Sequence, residues 1–161
     1  MDLSPPVRGD ELDAIEARID HWLVAEAATN PLIDAVERGR PEERRWYVRV
    51  KGEEKDVWTA WWQLRERTFR FETYVMPAPE ENHEVFFRHL LVRNQSLVGM
   101  AFQIGQEDAV YLAGSLPVRA VNEAELDRIL GSMWAAVERS FRPALRIGFA
   151  SRFVDDALSD L

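Results

Sequence analysis

The run Val57-Trp58-Thr59-Ala60-Trp61-Trp62-Gln63-Leu64 places three tryptophans within five positions. Successive side chains of an extended strand point to opposite sides, so Trp58, Ala60, Trp62 and Leu64 share one face and Trp61 stands on the other. A strand with large aromatics on both faces is either sandwiched or offers one ring to a partner. The clue concerns binding rather than catalysis.

Upstream, Trp46, Val48 and Val50 alternate with Tyr47, Arg49 and Lys51. Downstream, Phe69, Phe71 and Val75 lie on one side, with Arg70, Glu72 and Tyr74 on the other. The short polar connections Gly52 to Lys55 and Arg65 to Arg67 predict antiparallel neighbours, hence a three-stranded meander. Before it, Leu12, Ile15, Ile19, Trp22 and Leu23 recur at helical spacing, with Asp10 as N-cap and Asn30-Pro31 as the stop. Residues 32–43, punctuated by Gly39 and Pro41, are expected to be an irregular connection.

After Met76-Pro77-Ala78-Pro79, a helix is predicted to start with Pro79, Glu80 and Glu81 in its first turn. It runs to about Asn94 and buries Phe87, Leu90 and Leu91. Strands are predicted over Val98 to Ile104 and Ala109 to Leu116, about a hairpin turn at Gly105 to Asp108. The final helix has a capping box in Asn122 and Glu125 and a stripe of Leu126, Ile129, Met133, Val137 and Phe141, with Pro143 as terminator. Gly131 in mid-helix costs about 1 kcal/mol against alanine, which suggests close approach to a neighbour. The order α-β-β-β-α-β-β-α predicts an α+β fold, an antiparallel five-stranded sheet with helices packed on one face. One domain is expected over residues 9–153, between flexible ends at 1–8 and 154–161.

With 161 residues, 47% hydrophobic and 30% charged, the chain can bury the core of one globular domain. The absence of cysteine excludes disulfides, thiolate metal sites and thiol nucleophiles. Met1 to Pro6 is acidic and Pro-rich, without a basic start or an apolar signal core, and no run reaches transmembrane length. A cytoplasmic location without membrane association is the expectation. The net charge of −8 is uneven: residues 1–39 hold nine acids against three arginines, whereas residues 44–76 hold eight basic residues against five acids. An acidic chain gains little from counterion release, so nucleic acid is not the expected partner.

Reactive constellations are missing. His83-Glu84-Val85-Phe86-Phe87 has Phe87 where a zinc-protease helix needs its second histidine, and His89 lies well round the helix from His83. Gly99, Gly105 and Gly114 form no phosphate-binding fingerprint, and Gly131-Ser132 lacks the flanking glycine of a nucleophile elbow. No catalytic, cofactor-binding or metal-binding residue is nominated, and the chain is expected not to be an enzyme. The second sheet face remains. Tyr47, Arg49, Trp61, Arg70 and Tyr74 all point away from the helix-packed side, and interface cores are enriched in such residues. These five form the candidate interaction surface, for a second copy in a homodimer or for another polypeptide. The alternative is a small-molecule sensor with a pocket between sheet and final helix, near Gly131.

Met76-Pro77-Ala78-Pro79-Glu80-Glu81-Asn82, the helix end Leu90 to Asn94, Phe102 to Leu112 and Glu125 to Gly131 resemble the YbjN-domain family, in particular its actinobacterial branch. The match runs in order over roughly residues 10–150, on structural rather than active-site motifs. The resemblance implies a fold like that of type III secretion chaperones, a role in bacterial sensory transduction, and no established activity or catalytic residues. Chaperones of that similar fold are commonly homodimers that bind protein segments, which is fold-level analogy only.

Overall fold

Alternation along the meander is realised residue by residue. In the computed structural model, which describes residues 4–159, Trp46, Val48 and Val50 of β2 (Arg45–Lys51) are buried. So are Trp58, Ala60, Trp62 and Leu64 of β3 (Val57–Leu64) and Phe69, Phe71, Thr73 and Val75 of β4 (Thr68–Met76). The pairing is antiparallel, with Trp46 opposite Trp62 and Trp62 opposite Phe71.

The sheet has six strands rather than the expected five, in the order β1-β2-β3-β4-β6-β5. The additional strand, β1 (Ile33–Arg38), occupies the segment expected to be irregular and pairs antiparallel with β2. A register shift between Ile33 and Ala35 explains why it escapes a period-two pattern. Ile33 faces Val50 and Val36 faces Val48, both on the core side, so its apolar residues stand three apart instead of two. The hairpin of β5 (Met100–Ile104) and β6 (Val110–Pro117) turns through a short 3-10 segment and joins the meander through β4, leaving β5 at the edge.

Helices α1 (Gly9–Thr29), α2 (His83–Asn94) and α3 (Glu123–Gly148) cover one face and share one core with it. Helix α1 ends at Asn30, whose side-chain oxygen accepts from Leu32 N at 3.0 Å, as the Asn30-Pro31 stop predicts. It opens with Arg8 rather than Asp10 at the cap position. Helix α2 begins at His83, after the predicted start, and is rotated by one residue: Phe86 and Leu90 are buried while Leu91 is exposed. Phe86 is drawn inward because it packs on Gly148, where a Cβ would lie 2.8 Å from its ring. Glu80 and Glu81 serve the final helix instead. Glu81 Oε1 accepts from Ser151 N at 2.6 Å and Glu80 pairs with Arg152, at the start of α4 (Ala150–Ser159).

Helix α3 begins as the capping box predicts, with Glu125 N donating to Asn122 Oδ1 at 2.9 Å. It does not end at Pro143, which sits inside it. A proline in a helix costs about 3 kcal/mol. The following turn is nevertheless retained because Ala144 is buried, Gly148 is wedged against Phe86 and Pro79, and Asn82 Nδ2 donates to Ile147 O. Gly131 also departs from expectation: it is exposed, and a Cβ there would meet nothing within 4 Å. With no neighbour to satisfy, Gly131→Ala is expected to stabilise the protein by about 0.5–1 kcal/mol, as an upward shift of the thermal midpoint.

Of the ends expected to be flexible, residues 1–3 and 160–161 lie outside the described residues. Within 4–8, Val7 is buried and its N–H donates to Glu66 O at 2.7 Å.

Candidate functional site

The face of the sheet turned away from the helices is built from the odd-parity residues of β2 and β3 and the even-parity residues of β4. Register fixes their neighbours: Tyr47 stands opposite Trp61 and Trp61 opposite Glu72, while Arg45 stands opposite Gln63 and Gln63 opposite Arg70. All five nominated residues lie here, but not as one cluster. Trp61 and Arg70 line a common concavity of about 550 Å³, and Tyr47 flanks Trp61 in the adjoining strand. Arg49 is drawn toward the β1 edge by Asp34, 3.2 Å from its Nε. Tyr74 turns the other way, its ring edge-on to Tyr111 at 5.7 Å between centroids.

Trp61 and Tyr74 are each 40% exposed, whereas Trp58 and Trp62 on the opposite face are buried. The indole of Trp61 thus interrupts a rim of charge. The neighbouring Tyr47 raises the guanidinium pKa of Arg45 further. Arg65 donates twice to Gln63 Oε1, at 3.2 and 3.1 Å. Arg70 has no ion-pair partner among the described residues. Glu72 is the one carboxylate lining the concavity. Arg45, Gln63, Arg65 and Glu72 were missed by the sequence reading, although Arg45 and Gln63 share parity with Trp61. Gln103 and Ser115, also in the lining, depend on the β4–β6–β5 order, which no local pattern reveals.

Lys55, in the turn before β3, closes the face beside Tyr74. Its Nζ donates to the carbonyls of Tyr74 (2.8 Å) and Val75 (2.7 Å) and lies 5.1 Å from the Tyr74 ring centre. Loss of water around it lowers its pKa from the ordinary 10.5 to about 8. Between about pH 8 and 9.5 the unfolded chain therefore binds more protons at this position than the native one, so this group's contribution makes stability rise with pH. Urea midpoints at the two limits are expected to show that rise in the parent and to lose it in Lys55→Met.

Among the described residues no group of three His, Asp or Glu side chains could hold a metal ion, and no helix is long and apolar enough to cross a membrane. His83 is exposed at the α2 start, and His89 is held below the ordinary imidazole range by burial and by Arg93.

A profile of the YbjN family, described as "Putative bacterial sensory transduction regulator", matches residues 17–146. The chain belongs to the YbjN family. It is 32% identical to an uncharacterised protein of Mycobacterium leprae over 133 residues, covering 83% of this chain and 71% of that relative. Uncharacterised proteins of Mycobacterium bovis and Mycobacterium tuberculosis are 35% identical over 104 residues, 65% of this chain. The chain spans 57% of the length of these two relatives. These mycobacterial relatives agree with the actinobacterial branch of the YbjN family. The match covers all six strands but begins within α1 and leaves out the last two residues of α3 and all of α4.

Proposed function

We propose that this YbjN-family chain is a cytoplasmic, non-enzymatic regulatory domain that forms a homodimer through the open face of its sheet and binds a partner polypeptide. The observation that carries the reading is Trp61, a large ring left 40% exposed at the middle of a face it shares with arginines, tyrosines, Gln63 and Glu72. Tryptophan, tyrosine and arginine are the residues that anchor interface cores, each offering large contact area and a polar handle.

The face also has the scale and the charge pattern for self-pairing. Six strands about 4.8 Å apart and about seven residues long give a flat footprint on the order of 550 Å² before side-chain relief is counted. One side of a standard interface is about 800 Å². Trp61 lies on the third strand of six, beside Arg70 and Glu72 of opposite sign on the fourth. A two-fold axis near β3 and β4 sets the ring of one copy toward the concavity of the other and brings Arg70 toward the partner's Glu72.

Light scattering over a concentration series tests the reading. The expected mass is twice the 18.6 kDa of one chain at micromolar concentration. A mass of one chain up to high micromolar concentration removes the homodimer. Capture on immobilised protein, lost in Trp61→Ala, then decides whether another polypeptide uses the face.

A further inference from the structure

On the helix side of the molecule, away from the docking face, the end of α2, the loop after it and the middle of α3 line an open-sided cavity of about 350 Å³. Among the described residues its lining holds three arginines, Arg93, Arg128 and Arg139, and no carboxylate. Of these only Arg128 has an acidic partner, Glu125 at 2.8 Å. Neither Arg93 nor Arg139 has an ion-pair partner among the described residues. With Arg128 compensated by Glu125, the guanidiniums of Arg93 and Arg139 leave a local positive surplus in a chain of net charge −8, which an entering anion would offset. Arg93 also acts on His89: after burial, its charge is the second cause of the lowered imidazole pKa.

A second, independent observation comes from Ser140. It is 2% exposed, one of only two buried polar residues among those described, and it lines this cavity. Its hydroxyl makes no hydrogen bond to any described residue. Its Oγ is not among the unpaired atoms sealed from solvent, so the hydroxyl opens to the cavity and is free to bond an atom placed there. Leu97, Phe102 and Ala136 supply apolar wall beside the charged groups.

We infer that this cavity is a binding site for a small phosphate-bearing ligand, its oxyanion held by Arg93, Arg128, Arg139 and the Ser140 hydroxyl. A phosphate offers three or four acceptor oxygens, enough for several guanidinium forks and a hydroxyl at once, where a carboxylate offers two. The volume falls within the range of small-molecule sites, leaving room for an organic group against the apolar wall. The site involves none of the open-face residues, so it neither requires nor tests self-association.

A nitrogen–proton NMR titration with inorganic phosphate, at ionic strength held constant with chloride, examines this directly. Saturable shifts confined to amides of residues 93–98 and 128–140 are expected, and glycerol phosphate serves as the ester arm. Tighter binding of the ester assigns an organic monophosphate; tighter binding of inorganic phosphate assigns the free ion. Arg139→Gln, at an exposed position, and Ser140→Ala should keep the native circular dichroism and each weaken binding about tenfold. Shifts that never saturate, that fall on the sheet around Arg45 and Arg70, or that are equal in parent and variants overturn the inference.

Discussion

Trp62→Ala is expected to lower unfolding stability by about 3–5 kcal/mol, the range for truncating a fully buried aromatic. Trp62 is 0% exposed and joins three elements at one point. Its ring stacks on Trp22 of α1 at 6.1 Å between centroids and meets the edge of Phe69 of β4 at 5.5 Å. Removing it leaves a cavity between helix and sheet that three separate segments would have to shift to fill. The indole N–H is buried without a partner, unlike that of Trp46, which donates to Asp20 Oδ1 at 3.0 Å. The ring is therefore held by its volume and not by its polar atom, and Trp62→Phe is expected to cost well under half as much. Urea unfolding of the two variants checks both statements, with an unchanged slope expected on denaturant concentration. A loss below 1 kcal/mol for Trp62→Ala would falsify the packing described for this layer.

One residue away, the expected consequence is of a different kind. Trp61→Ala removes a ring that contributes little to the monomer core, so the stability of the isolated chain should change by no more than about 1 kcal/mol, the span of strand propensities. Association should weaken by about 2 kcal/mol, roughly a thirtyfold rise in the dimer dissociation constant, as for a central interface tryptophan. Arg70→Ala, which removes a guanidinium without an ion-pair partner among the described residues, should act in the same direction and more weakly. Sedimentation equilibrium of parent and variants gives these constants directly. Equal constants for parent and Trp61→Ala would leave the ring as an ordinary surface side chain.

The contrast between positions 61 and 62 was legible in the sequence because strand parity is a local property. Once Val57 to Leu64 is taken as a strand, each ring has its side assigned, and β2 and β4 follow from the same alternation and short turns. Three features lay beyond such local signals. Strand β1 was hidden by its bulge, which puts Ile33 and Val36 on one side at a three-residue spacing that breaks the period of two. The helical turn after Pro143 exists because Phe86 and Pro79 pack on Gly148, a long-range contact that outweighs the local penalty. The phase of α2 was ambiguous by one residue because Phe86 and Phe87 are adjacent, and the same contact on Gly148 selects Phe86.

The candidate surface divides in the same way. Its five nominated residues share a face because parity places them there, whereas the concavity that brings Trp61 and Arg70 together is completed by Gln103 and Ser115 from the hairpin beyond α2. Gly131 misled, since a glycine inside a helix carries no mark that separates close packing from open space. The arginines around Ser140 went unnoticed for a related reason: Arg93 belongs to a different helix from Arg128 and Arg139, and only the packing of α2 against α3 gathers them.

Whether the open face is covered in the associated protein can be read from the indole N–H signal of Trp61, assigned by its loss in Trp61→Phe. A soluble paramagnetic chelate broadens protons that solvent can reach. At low concentration the signal should broaden strongly, and at concentrations where the mass has doubled it should be protected while exposed backbone amides on α2 remain accessible. A Trp61 signal equally broadened at both concentrations, with the mass doubled, would contradict docking through this face.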